Sequence, residues 1–314
     1  MKSIGVVPEY PDVKLYMNVA MKGMMPWEAD PWKETTLSWK ESSYIHSGIS
    51  GVEIVFEGAD AQKAISAASI NDVYKWRIGF SKHLVQCDEN GLITNHGLVT
   101  RDSEARFRIF AAYPVPILRQ IKPGMDVKFS MKEIFVFQFA GPKSLEILEM
   151  ATGESLRDVA FLQTRPTRIP GIPCEIEVSR IGMAGTLAYE LRGSAEHGPA
   201  VYDAVYQKGK PLGMKRLGWK SYVVNHVESG FPQMTCTFTL ADVVNPEYMK
   251  NSDPREKSQA LAISGSVDPE DIRARFRTPG EVGWSWMAKF DHDFVGRGVV
   301  EAEAKNPKRT IVTL

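Results

Sequence analysis

Seven residues, IFVFQFA at 134–140, constrain the fold more than any other stretch. A nearly unbroken apolar run of this length reads as a strand buried on both faces, because a strand with one wet face alternates. Gly141-Pro142 ends the run, and residues 143–151 then read as a helix. The same theme occurs earlier, where the strand VEIVF at 52–56 leads through Gly58 into an alanine-rich helix at 59–68. Asn90-Gly91 suits a tight hairpin turn into the strand residues 92–99, and 106–110 reads as a strand with its arginines on one face. Pro114 and Pro116 end that strand or start a helix. Residues 199–208 and 216–226 carry helical patterns, 241–280 is a polar, proline-punctuated excursion, and TIVTL at 310–314 is a last strand signal. Strand–helix units joined by hairpins imply an α+β fold, with antiparallel-sheet subdomains backed by helices. A chain of 314 residues accommodates two of them.

Charge and motif content exclude several classes of function. The 38 basic and 38 acidic side chains balance, so no field steers the chain to nucleic acid or to an anionic membrane. No stretch approaches the roughly 20 apolar residues of a membrane span. Cys87, Cys174 and Cys236 are far apart and form neither a disulfide framework nor a zinc motif, which points to a reduced, cytoplasmic setting. Dinucleotide, P-loop, nucleophile-elbow and zincin motifs are absent. Asp291-His292-Asp293 alternates across a strand or turn and is a poor chelator, so no metal is expected.

The stretch SRIGMAGTLAYELRG at 179–193 raises the functional question. Along its strand-like half, Leu187, Tyr189 and Leu191 share one face, while Ala188, Glu190 and Arg192 share the other. From this pattern alone Glu190 is either a solvent-facing carboxylate or a group aimed into a site.

Four segments, in order, decide which reading to carry forward. They are QFAGPKS at 138–144, the loop and strand just quoted, GMKRLGW at 213–219 with NHVESG at 225–230, and PGEVGWSWMAKFD at 279–291 with FVGR at 294–297. Their order and spacing resemble the tetrahydrofolate-dependent aminomethyltransferase family, the T-protein of glycine cleavage and its relatives, over roughly residues 35–314. The strings at 181–185, 228–231 and 289–297 are closer still to the vanillate-type tetrahydrofolate-dependent O-demethylases.

The resemblance implies a T-protein-like folate-binding fold. Residues 1–300 would form two intertwined subdomains with the excursion at 241–280. The family's C-terminal barrel would begin at 301–314, so that domain would be absent from this chain. The implied cofactor is tetrahydrofolate, whose pterin presents a paired N–H edge that a carboxylate accepts in parallel. By resemblance Glu190 is that carboxylate. Gln138 stands near the family's glutamine, whose own place before the Gly-Pro turn is taken by Ala140. Met183 and Trp286 are candidates to pack on the flat ring system. Glu228 is expected to cap or brace a helix end beside Gly230.

Departures from the family pattern bear on the donor. An acidic residue that the T-protein carries after the strand at 107–112 is missing from 111–117, the demethylases' carboxylate-binding arginine is replaced by Ala112, and their tyrosine has no counterpart in 234–240. A neutral methoxy-aromatic, another small O-, N- or S-methyl donor, or a methyl group carried by a corrinoid partner protein therefore becomes admissible. The acid that protonates the leaving atom is sought among Tyr113, His46 and His226. The expected activity is methyl transfer to N5 of tetrahydrofolate; the alternative is a non-catalytic folate-binding protein of the same fold.

Overall fold

The computed structural model describes residues 3–4, 6–13, 15–19, 23–47, 51–110, 113–234, 237–245, 268 and 270–312. The chain divides into two compact units, Met1–Glu53 with Met131–Phe231, and Ile54–Ser130 with Pro232–Leu314.

In the first unit one sheet runs in the order Thr164–Thr167, Ile176–Ser179, Ala188–Ser194, Lys128–Ala140 (from Met131 on), Tyr44–His46 and Lys215–Arg216. Neighbours are antiparallel except the last pair, which is parallel. The expected buried strand is therefore central, and its pleat sorts residues onto two faces. Phe135, Phe137 and Phe139 share one face with Leu191, Tyr189, Val178 and Ile45. The helices Ser144–Thr152 and Gly198–Gly209 cover that face, adding Ile147, Leu148, Val201, Tyr202 and Val205 to the same apolar cluster. Phe135 and Phe137 stack at 4.7 Å, and Phe137 meets Tyr202 edge-on at 5.2 Å. Gly141 has φ +137°, and a Cβ there would lie 2.4 Å from the Ser42 carbonyl oxygen, so the break after the strand needs glycine.

The helix expected at 216–226 begins later, as Trp219–Ser229. Arg216 is drawn instead into a short strand beside Ile45. Its guanidinium donates to Asp30 Oδ1 at 2.6 Å, reaches Asp12, and lies over the Tyr10 and Tyr206 rings. Gly218 precedes the helix where a Cβ would meet the Trp27 carbonyl oxygen at 2.5 Å.

The second unit holds an antiparallel sheet in the order Val52–Glu57 (from Ile54 on), Arg106–Phe110, Ile93–Arg101, Phe80–Cys87. Asp88 Oδ1 accepts from the Asn90 and Leu92 amides at 2.9 Å each and, with Gly91 at φ +74°, closes the expected hairpin. The helix Ala61–Ala68 follows Gly58 as expected, and Pro114 opens the helix Val115–Leu118. The outward arginines of Arg106–Phe110 find carboxylates, with Arg108 Nε 2.6 Å from Asp102 and Arg106 Nη1 2.6 Å from Glu57.

Most of the polar excursion, 246–267 and 269, lies outside the described residues, as do Ala112 and Cys236. The strand expected at 310–314 does not form over its described part. Residues 310–312 pair with no strand, and Val312 is exposed, because β-branched residues hold a strand only where a ladder partner exists. Among the described residues no helix is long and apolar enough to cross a membrane.

Candidate functional site

The face of the first unit's sheet opposite the phenylalanines carries the candidate site. Register brings Thr164, Ser179, Glu190, Gln138 and His46 into one row across five neighbouring strands, all on this face. The adjacent row is Tyr44, Ala140 and Ala188, so two alanines flank Gln138 and Glu190 while Tyr44 stands beside His46. Val136, Arg192 and Glu177 form the next row on the other side.

The solvent-facing reading of Glu190 is overturned, since the residue is 7% exposed. A buried carboxylate without partners would cost several kcal/mol. Both of its oxygens are held. Gln138 Nε2 donates to Oε1 at 3.1 Å, and Arg192 Nη2, itself buried, donates to Oε2 at 2.6 Å. At the far end of the row Thr164 and Ser179 join their hydroxyls at 2.7 Å.

Helix Trp219–Ser229 contributes the aromatic part of the site. Its buried residues include Tyr222, Asn225 and His226, which recur at helical spacing. Tyr222 stacks on His46 at 4.5 Å with planes 12° apart, and His226 lies 4.1 Å from Tyr222. His226 Nδ1–H donates to the Tyr222 carbonyl oxygen at 2.9 Å, which leaves Nε2 facing the Met183 sulfur at 3.2 Å. Asn225 Nδ2 is buried with no hydrogen-bond partner among the described residues.

Burial sets the protonation of the two histidines. His46 is pushed down to about 3, mainly by loss of solvation, with the nearby His226 adding to it. His226 is lowered for the same first reason, against the opposing bond to the Tyr222 carbonyl. Both rings are neutral near pH 7, and a neutral imidazole offers one accepting nitrogen.

Five of the expected site residues, Glu190, Gln138, Met183, His226 and His46, thus belong to the first unit. The other two belong to the second. Tyr113 is held through its backbone by Asn95, which donates from Nδ2 to the Tyr113 carbonyl at 2.8 Å and accepts its amide at 3.0 Å. Trp286 is 71% exposed, whereas Trp284 two residues before it is buried against His83, His96 and Phe238.

Glu228 braces helices rather than capping one. It accepts from Trp39 Nε1 at 3.0 Å and pairs with Lys40 at 3.1 Å. His292 donates from Nε2 to the Ser69 carbonyl at 2.9 Å, and no group of three metal-ligating side chains occurs among the described residues.

Arg192, Tyr222 and Asn225 belong to the same candidate site and were not among the residues expected from the sequence. Arg192 had a signal, since a residue two places beyond Glu190 on a strand shares its face. Tyr222 stands four residues before His226 on the same helix face, which is also legible in retrospect.

Comparisons with known proteins agree with this architecture. Residues 46–239 match the family model described as the GCVT N-terminal domain. Sesamin methylene transferase of Sinomonas sp. (strain No.22) is 35% identical over 302 residues, which cover 93% of this chain and 66% of that protein. Syringate O-demethylase of Sphingobium sp. (strain NBRC 103272 / SYK-6) is 25% identical over 306 residues, 92% of this chain and 66% of that protein. The chain thus spans about two thirds of the length of these curated relatives. Among solved structures, aminomethyltransferase T of the glycine cleavage system from Bartonella henselae matches with a TM-score of 0.68 at 16% identity, over 94% of this chain and 72% of that one. At that identity the likeness shows the fold, and it is the α+β fold expected.

Proposed function

Because this chain belongs to the GCVT N-terminal domain family, we propose that it is a tetrahydrofolate-dependent one-carbon transferase that demethylates a small oxygen-bound donor. The observation that carries the reading is the buried Glu190 carboxylate, held at one oxygen by Gln138 and at the other by Arg192. A carboxylate oxygen accepts at two lone pairs, so each retains capacity for a further donor.

The residues present fit a flat pterin. Ala140 and Ala188 keep the row beside Glu190 low. A Cβ at Gly182 would lie 2.1 Å from that of Ala188, so the loop packs its backbone directly on this strand. Asn225 adds a buried donor to the covering helix, and His226 Nε2 an acceptor beside the Met183 thioether. Tetrahydrofolate, when bound, supplies the nucleophilic nitrogen that receives the carbon.

The chain's own residues then bind, orient and manage protons. Glu190 accepts the paired N–H edge and fixes the ring in its plane. His46 and His226 are neutral, so they serve as acceptors and packing surfaces rather than as proton donors near pH 7. The leaving oxygen takes its proton from a group other than these two rings.

A second reading, transfer of a methylene rather than a methyl group, is favoured by the 35% identity to sesamin methylene transferase. One experiment separates the readings. The protein is incubated with tetrahydrofolate and a panel of methoxyarenes, methylenedioxyarenes, methylated sulfonium and quaternary amines, and a methylated corrinoid protein, and the folate product is identified by mass. The proposal expects 5-methyltetrahydrofolate from a methoxyarene, and the second reading expects 5,10-methylenetetrahydrofolate from a methylenedioxyarene. Folate binding with no product from any donor would instead favour a non-catalytic folate-binding protein.

A further inference from the structure

Arg192 is the buried charge at this site that the proposed reaction does not itself require. It is 2% exposed and stands two residues beyond Glu190, on the same face of strand Ala188–Ser194. Removing a guanidinium from water is costly unless its hydrogen bonds are well placed, so its retention here points to a geometric task. Its Nη2 sits 2.6 Å from Glu190 Oε2. Gln138, directly opposite Glu190 on the neighbouring strand, takes the other oxygen at 3.1 Å. Two donors on two different oxygens, one from the same strand and one from across the ladder, stop the carboxylate from rotating about its terminal torsion. That torsion is otherwise broad.

We propose that Arg192 is a positioning residue which, with Gln138, fixes the rotation of the Glu190 carboxylate so that one lone pair on each oxygen faces the paired N–H donors of a pterin-like ring. The inference rests on the folate reading given above. Arg192 touches Glu190 and acts through it. Its planar fork and full charge suit this task better than lysine's mobile ammonium. The guanidinium also balances the carboxylate charge, so the pair presents a neutral receptor suited to a neutral heterocycle.

The test is a double-mutant cycle on tetrahydrofolate affinity, measured by anaerobic calorimetric titration of the whole chain, with thermal melting of each variant alongside. Arg192→Met should weaken tetrahydrofolate binding by about tenfold, in the range of couplings between touching residues. Arg192→Lys should recover only part of that loss. In the Glu190→Gln background the further change Arg192→Met should cost nothing more, because there is no carboxylate left to orient. A residue that merely stabilises the fold would give additive losses in both backgrounds, and that result would overturn the proposal. Arg192→Met binding as tightly as the wild type would overturn it too. If Arg192→Met alone does not fold, the pair Glu190→Gln and Glu190→Gln/Arg192→Met, together with Arg192→Lys, still decides. In that case undiminished binding by Arg192→Lys, or a further loss in the double variant, counts against it. Should Glu190→Gln itself bind tetrahydrofolate like the wild type, the folate reading fails, and that outcome is distinct from the failure of Arg192 alone.

Discussion

On one side of strand Ala188–Ser194 stand Tyr189 and Leu191, and on the other Glu190 and Arg192, yet all four are buried. The first pair joins Phe135, Phe137 and Phe139 under two amphipathic helices, where burial is driven by apolar area alone. The second pair lies on the same face as Gln138 and His46, where burial is opposed by desolvation and tolerated only because partners are in place. Equal burial therefore has unequal causes. The phenylalanine face holds the sheet together, and the carboxylate face is held by it. A polar network fixed in a rigid sheet is pre-organised for a ligand, since few of its groups need to move on binding.

Several variants would break or sharpen this contrast. The largest effect is expected on the apolar face. Phe137→Ala opens a cavity between Leu191 and Tyr202 and should lower stability by about 3–5 kcal/mol in a denaturant titration. The fraction that remains folded should still bind tetrahydrofolate, whereas loss of binding at full folding would show that the two faces are not separable. On the polar face Gln138→Leu removes one bond to a charged oxygen and should cost about 1.5–3 kcal/mol. Unlike Phe137→Ala, it should weaken ligand binding even where the protein is fully folded.

Acid should distinguish the faces next. His46 is buried neutral and pushed to about 3, whereas an unfolded chain protonates histidine near the ordinary 6.5. Below that pH the unfolded state takes up a proton that the folded state refuses. The stability is therefore complete above about 6.5 and declines as pH falls toward 3, by up to about 1.4 kcal/mol per pH unit. In the second unit His83, pushed to about 4 by burial, acts with the same sign between 6.5 and 4. His46→Gln should flatten the slope of melting temperature against pH between 6.5 and 4, and an unchanged slope would contradict the buried neutral ring. The smallest effect is expected at Glu228, whose partner Lys40 is half exposed. Glu228→Ala should cost about 1 kcal/mol or less by thermal melting and leave ligand affinity alone.

The contrast between faces also marks what was legible in the sequence. The run at 134–140 predicted a strand buried on both sides, and alternation correctly separated Tyr189 and Leu191 from Glu190 and Arg192. Alternation could not say whether the polar side was wet, because that depends on helix Trp219–Ser229, from later in the chain, and on the adjoining Gly182–Gly185 loop packing on this face. The segment order, rather than the strand pattern, pointed to Glu190. Arg192 went unused because an arginine beside a glutamate on a strand reads equally well as surface charge. The helix start at 219 was misplaced because Arg216 answers to Asp12 and Asp30, 204 and 186 residues away in sequence. The strand signal at 310–312 shows the converse limit, since composition favours a strand but no partner pairs with it.

The central claim, that Glu190 grips the pterin edge, is tested most directly by calorimetric titration of tetrahydrofolate into the wild-type protein and Glu190→Gln at pH 7. Replacing one accepting oxygen by an amide removes a charge-assisted bond worth about 1.5–3 kcal/mol and places a donor where a donor must be received. The account predicts tight binding by the wild type and a loss of at least about tenfold in the variant, with both proteins folded. Equal affinity in the two proteins, or no binding by either, would contradict it.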